Sequence, residues 1–307
     1  MPKIKQKPGS KPVIPKGLDA FVIGNGTTRR DLPIKDLTDH GLVLACNWFF
    51  KDEFRPHVLV CSDEPISKDI QENYAFYPRT NHMVTWYPKP GSGAKKATTP
   101  EKMAAGIMAT WTAVHDYQCP RVFLIGMDFF GLSSPKDHLA PDHNGFINNM
   151  YAGKKHYVAS NSGAPTFRNW QRRFQYICRQ HPGAEIWHVN PLDGKSPPRI
   201  VGFENFHQCT WQDMMNHLEL GKPLVDIKVV TEADKELAHA PNPDDYRARV
   251  ERQLAGQGNE IYGDPLTADQ LKEFIATIQR DQKLHPGQAL EYNINGISVP
   301  IYPGDAG

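Results

Sequence analysis

The stretch Phe21-Val22-Ile23-Gly24-Asn25-Gly26-Thr27-Thr28 decides how the rest of the chain is read. A short apolar run ends in an Asn held between two glycines, and hydroxyl residues follow. A buried strand of an α/β sheet hands over in this way to a turn that lets a phosphate or nucleotide approach the backbone. Glycine removes side-chain bulk and permits φ > 0, while the Asn amide offers both donors and an acceptor. Taken alone, Gly-Asn-Gly serves equally well as a hairpin turn.

The next segments repeat the pattern. Leu42-Val43-Leu44-Ala45-Cys46-Asn47 is an apolar run ending in Asn, and His57-Val58-Leu59-Val60-Cys61-Ser62-Asp63 is another ending in polar residues. Strands buried on both faces of a parallel sheet read as such continuous runs, and ligands bind beyond their carboxyl ends. Strands ending in Asn25, Asn47 and Asp63 would set three polar groups along one rim. Turn formation and capping explain the same residues without a ligand, but three in close succession favour a site. A fourth run, Arg121 to Gly126, ends in Met127-Asp128, and a fifth, Glu185 to Val189, ends in Asn190.

Between these runs the pattern predicts a short helix within residues 66–77, a strand over 82–86 and a polar glycine-rich loop over 88–100. That loop lacks the Gly-Lys-Ser/Thr ending of a P-loop and has the length of a mobile functional segment. A helix should start at Pro100, capped by Thr99, and run to about Tyr117. Gly106 interrupts it at a cost of up to about 1 kcal/mol against alanine, which a close approach would explain. Residues 131–164 read as a long irregular lid or wall containing Asp137, His138, Asp142, His143, Asn149 and His156. Their irregular spacing gives a metal site little support. The helix over 165–180 buries Phe167, Trp170, Phe174 and Ile177, with Arg168, Arg172, Arg173 and Arg179 mostly on its solvated side.

Strand–helix alternation over residues 20–190 predicts an α/β fold, a mainly parallel Rossmann-like sheet flanked by helices. Three parts are expected: a basic tail over 1–17, a nucleotide-binding domain over 18–205, and a small α+β appendage over 206–307. The appendage should hold helices at 211–220, 243–254 and 267–282 and a hairpin at 292–299, and could serve oligomerisation or a partner. The tail, with five lysines and four prolines in its first sixteen residues, reads as a solubilising segment that could also touch nucleic acid.

Composition narrows the classes. Among 307 residues, 35 Lys+Arg face 34 Asp+Glu, so the whole chain is not a polycation. No apolar run reaches the roughly eighteen residues that a membrane span needs. The absence of an apolar leader points to an intracellular, cytoplasmic protein. Five scattered cysteines suit reduced, buried thiols rather than a disulfide framework.

The order of the motifs resembles the bacterial lipooligosaccharide sialyltransferases and the related motility accessory factors and hydroxymethylpterin pyrophosphokinase-like proteins. Ile23-Gly24-Asn25-Gly26-Thr27 is similar to that family's Gly-Asn-Gly-Pro-Ser turn, and Cys46-Asn47-Trp48-Phe49-Phe50 to its Cys-Asn-Gln-Phe segment. Leu124-Ile125-Gly126-Met127-Asp128-Phe129-Phe130 is similar to its Gly-Ile-Asp-Phe-Tyr strand end, and Lys155-His156-Tyr157 to its Ser-His-Tyr. The match spans roughly residues 20–190, and the same order in a small tail-bearing chain looks similar to phage-encoded relatives. The resemblance implies a cytidine monophosphate sugar as donor and catalysis without a metal or other cofactor. It implies that Asn25 and Asn47 bind the nucleotide, with the helix start at Gly106 beside it, and that His156 takes the acceptor's proton. The family uses two tyrosine hydroxyls at the leaving phosphate; here Phe130 stands at the first and Lys136 near the second. Specificity for sialic acid is therefore not implied.

These readings lead to a transferase with an activated nucleotide donor, and first of all a glycosyltransferase. Gly24, Asn25, Gly26, Thr27 and Asn47 would hold the donor, with Asp63 on the same rim and Asp128 at the ribose or pocket floor. His156 would act as general base and Lys136 would meet the phosphate. Arg29 and Arg30 could meet phosphate too, or form a surface pair at a helix start. Three alternatives stay open: a Mg²⁺-dependent diphosphate transfer with Asp63 and Asp128 as ligands, a non-catalytic nucleotide- or nucleic-acid-binding protein, and a glycosyltransferase acting on a base in phage DNA.

Overall fold

The computed structural model describes residues 4, 10–52, 54–74, 76–128, 131–132, 145–147, 149–151, 156, 161–162, 164–189, 200, 202–228, 230, 232, 235, 290–294 and 297–301. Two compact units are present, residues 1–240 and residues 241–307. In the first unit the early strands are β1 (Ala20–Ile23), β2 (Leu42–Cys46), β3 (Val58–Cys61), β4 (His82–Thr85), β5 (Lys95–Lys96) and β6 (Arg121–Ile125). Three short strands follow, β7 (Gly131–Leu132), β8 (Gly145–Ile147) and β9 (Asn161–Ser162), and then β10 (Glu185–Val189) and β11 (Phe206–Cys209). The helices are α1 (Glu64–Asn73), α2 (Tyr77–Thr80), α3 (Ala105–Trp111), α4 (Ala164–Gln180) and α5 (Trp211–Leu220).

Eight strands form one all-parallel sheet in the order β11-β10-β6-β1-β2-β3-β4-β5. The chain builds outward from β1 to β5 and then returns to lay β6 on the other side of β1, with Ile23 beside Ile125. Strand order therefore reverses between β1 and β6. The connections leaving these two strands run in opposite directions, which opens a crevice at their carboxyl ends.

The apolar runs are explained by layers on both faces. Val22, Leu44 and Leu124 share a core with Met108 and Trp111 of α3 and with Phe174 and Ile177 of α4. The alternate residues Phe21, Val43 and Phe123 share the other core with Phe49, with Ile66 and Ile70 of α1, and with Met214 of α5. Phe21 and Phe123 stack across neighbouring strands at 5.4 Å between ring centroids. The α/β fold with a parallel sheet is as the sequence predicts.

Several local expectations shift. The helix starts at Ala105, not Pro100, with Ala104 as its unassisted N-cap. The chain has just left β5 at the sheet edge and must cross to reach α3, which packs over β1, β2 and β3. Residues 97–104 make that crossing without helix or strand. After Trp111 the helix widens into one π turn, Thr112–Asp116. The glycine-rich loop carries β5, whose two lysines are exposed. Residues 131–164 contain a small antiparallel sheet, β7-β8-β9. β11 joins the main sheet beyond the expected boundary at residue 205. The end of the expected tail lies against the body, where Lys11 Nζ donates to the Gly93 carbonyl at 2.6 Å and His82 Nε2 to the Pro12 carbonyl at 2.9 Å.

In the second unit β12 (Leu290–Ile294) and β13 (Ile297–Ile301) pair antiparallel, with Ile294 opposite Ile297. This is the expected hairpin around Asn295-Gly296. The helices expected at 243–254 and 267–282 lie outside the described residues. No helix among the described residues is long and apolar enough to cross a membrane.

Candidate functional site

The crevice between β1 and β6 holds a cavity of about 280 Å³. This is near the lower end of the roughly 300–1,000 Å³ typical of small-molecule sites. Four strand ends contribute to its wall: Gly24, Asn25 and Gly26 after β1, Asn47 after β2, Ser62 and Asp63 after β3, and Met127 and Asp128 after β6. Gly106 at the start of α3, Asn149 and Trp170 complete the wall. Gly24, Asn25, Gly26, Asn47, Asp63, Gly106 and Asp128 are thus brought together as the sequence implied.

The glycines have a cause the sequence could not reveal. A Cβ on Gly24 would run into the Gly126 carbonyl and the Met127 sulfur, one on Gly26 into the Asp128 carboxyl, and one on Gly106 into the Met127 thioether. The two turns are also hydrogen-bonded, Gly24 N–H to the Ile125 carbonyl and Gly26 N–H to the Gly126 carbonyl, both at 2.8 Å. Bulk is therefore excluded by protein rather than by phosphate. Gly126 itself sits at φ +64, the left-handed region that favours glycine.

Asn25 and Asn47 play different parts. Asn25 Nδ2 donates to the Cys46 carbonyl at 3.3 Å, and Met150 N–H donates to the Asn25 carbonyl at 2.8 Å. Asn25 Oδ1 is buried and accepts nothing among the described residues. Leaving such an acceptor unmet costs about 1–3 kcal/mol. Asn47, at φ +50, instead spans two strand ends: Nδ2 donates to Asp63 at 2.7 Å and Oδ1 accepts the Ser62 N–H at 3.3 Å. Asn tolerates this conformation better than most residues.

Asp128 is buried and accepts from both the backbone N–H and the hydroxyl of Thr28, so it locks the first turn. Thr27 opens the 3-10 turn Thr27–Arg29 and is not among the described lining residues. Arg29 is not a surface residue, and its guanidinium is held by protein groups. It is 3% exposed, donates through Nε to the Gly24 carbonyl at 2.7 Å, and reaches Tyr151 at 2.8 Å and Asp52 at 3.4 Å. Tyr151, from the long loop, closes this triangle by donating to Asp52 at 2.8 Å. Arg30 is exposed.

His156 is not among the described lining residues. Held at φ +72, it turns Nε2 toward the buried Asp69 of α1 at 3.4 Å and packs edge-on against Trp48 at 5.5 Å. Trp48 directly follows the lining Asn47 in the chain but does not itself line the cavity. Asp69 is itself steadied by Asn73 Nδ2 at 2.5 Å. Lys136, Phe130, Asn190, Lys155 and Tyr157 lie outside the described residues.

Trp170 escaped the sequence reading as a site residue, while Asn149 belongs to the long loop that reads as a lid or wall. Trp170 fits the helical stripe of α4, and nothing local distinguishes a core ring from a cavity wall. A recess lined by Lys102, Met103 and Arg173 adjoins the cavity and shares Ser62, Asp63, Ala104 and Trp170 with it. Burial pushes the Cys46 thiol up to about 12, so it is no nucleophile at neutral pH. Among the described residues no three His, Cys, Asp or Glu side chains converge as a metal site. Neither models of known protein families nor the curated proteins give a match to this chain.

Proposed function

We propose that the cavity at the strand-order reversal holds the nucleotide of an activated donor, and that the protein is a glycosyltransferase passing the donor's sugar to a hydroxyl acceptor. The observation that carries this reading is the convergence of Gly24, Asn25, Asn47, Asp63 and Asp128 on one cavity in the β1–β6 crevice, the place where open parallel sheets bind nucleotides. Lys102 in the adjoining recess is a cation that can oppose a leaving phosphate, and Arg173 beside it is paired with Glu101 at 3.1 Å. Asp69 accepts the Nε2 proton of His156 and leaves Nδ1 to take the proton of the acceptor hydroxyl. The acceptor oxygen bonds to the sugar carbon as the bond to the nucleotide phosphate breaks, and the phosphate leaves with the electron pair. Base help of this kind is worth about 10²–10⁴-fold. The motif order shared with the lipooligosaccharide sialyltransferases supports the same reading.

A magnesium-dependent diphosphate transfer has less support, because Asp128 already accepts two hydrogen bonds from Thr28 and Asp63 accepts one from Asn47. The test is thermal stabilisation by a panel of nucleotides and nucleotide sugars, with and without Mg²⁺. At 100 times its dissociation constant a ligand adds about 2.7 kcal/mol. A shift with a pyrimidine nucleotide sugar that Asn25→Ala removes is expected. A response confined to purine triphosphates with Mg²⁺ would overturn the reading in favour of diphosphate transfer.

A further inference from the structure

Beyond His156 a row of rings leads away from the cavity. His156 meets Trp48 at 5.5 Å, Trp48 meets Phe50 at 5.5 Å, and Phe50 meets Tyr74 at 5.0 Å and Tyr77 at 6.5 Å. Cations lie over the same rings. Lys51 Nζ is 4.1 Å from the Tyr74 centroid and 5.1 Å from that of Phe50, and the Arg55 guanidinium is 5.4 Å from Tyr77. The row reaches solvent at Tyr74, 38% exposed, whose hydroxyl accepts from Lys51 Nζ. Phe76, two residues on in the chain, is 67% exposed, and these two are the only large aromatic side chains among the exposed hydrophobics of the described residues. Lys35, Lys51 and Arg55 line an open cleft beside it together with Phe49, Phe54 and Asp52. Asp52 is paired with the buried Arg29, so the cleft keeps a positive balance.

We infer that this face binds a single-stranded nucleic acid and presents it to His156 as the acceptor. Its role as acceptor rests on the transferase reading; the binding itself does not. Exposed rings give successive bases a stacking surface, and the cations over them meet the phosphates between. A neutral glycan would use the rings and leave Lys35, Lys51 and Arg55 without work. A duplex would hide the base faces that the rings need. The charge balance of the whole chain is no obstacle, because the basic residues are gathered locally beside aromatic ones.

The test uses the full chain and a fluorescein-labelled single strand of about fifteen nucleotides, followed by anisotropy over a salt series. Binding is expected, with log affinity falling linearly as log salt rises. Phe76→Ala with Tyr74→Ala should weaken it about tenfold or more, within the range measured for single base–ring stacks. Lys51→Gln and Arg55→Gln should each flatten the salt slope by roughly 0.7. The same variants should keep the thermal shift with nucleotide, which also shows that they fold, and Asn25→Ala should keep oligonucleotide binding. Failure of the donor site and failure of this surface are thereby separate results. No binding at low salt overturns the inference. So does affinity equal to that for heparin and insensitive to Phe76→Ala, or a preference for duplex of the same length. Self-association that Phe76→Ala abolishes, without oligonucleotide binding, would assign the face to a protein contact instead.

Discussion

The two ends of the sheet carry similar polar residues and use them differently. At the amino end they close on one another. Arg121 pairs with Asp19 at 3.3 Å and Glu185 at 3.1 Å, His57 Nδ1 accepts the Val43 N–H at 3.0 Å, and Leu42 N–H donates to the Asp19 carbonyl at 2.9 Å. At the carboxyl end Asn47, Asp63, Asp128 and Thr28 are likewise joined, yet Asn25 keeps a buried acceptor unmet beside a cavity. Polarity alone therefore does not mark a site. What marks it is the cavity that the reversal of strand order opens at the carboxyl end.

Acid is the bluntest way to break both ends. Burial pulls His57 and His188 down to about 4, so both are neutral in the folded chain at pH 7. The unfolded chain, with ordinary histidines near 6.5, binds more protons between those values. Stability is complete above about pH 6.5 and falls as the pH drops toward 4, by about 3 kcal/mol for each group. Urea unfolding at pH 7, 5.5 and 4.5 measures it; a flat profile would mean that these histidines are solvated. A narrower break is Gly24→Ala, whose new methyl meets the backbone carbonyl of Gly126 as well as Met127. A loss of about 3 kcal/mol is expected. Gly106→Ala meets only the flexible Met127 thioether and gains helix propensity, so its loss should be about 1 kcal/mol or less.

The two asparagines sharpen the contrast. Asn47→Ala removes two fastening hydrogen bonds and leaves alanine at φ +50, for a loss of about 2–3 kcal/mol. Asn25→Ala should change stability by less than about 1 kcal/mol while removing the nucleotide-dependent thermal shift. Equal stability losses in chemical denaturation would mean that both residues are fasteners.

The strands were legible because burial on both faces turns each into an unbroken apolar run, and each run stops where the rim begins. The direction of growth was not legible. Nothing in the run Arg121 to Ile125 says that it returns to the far side of β1, and that return makes the crevice. The glycines were legible as tight spots, but their cause, Met127 and Asp128, lies far along the chain, about a hundred residues from Gly24 and Gly26. Arg29 was misread for the same reason, since Asp52 and Tyr151, which bury it, come from separate segments. His156 drew attention by its motif and indeed has a buried carboxylate for a partner, although that carboxylate sits within α1 where no motif announces it.

A parallel sheet that does not close must end in two open borders, and strand borders invite other chains to pair with them. Here one border is β5, two residues long with both lysine side chains exposed, and along the other the Ile227 N–H is bonded to the Gln208 carbonyl of β11. Charge and brevity guard the first, a covering segment the second. Replacing Lys95 and Lys96 with valine should leave the melting temperature nearly unchanged, yet concentrated solutions should turn cloudy. The smallest strand of the sheet would then be what keeps the molecules apart.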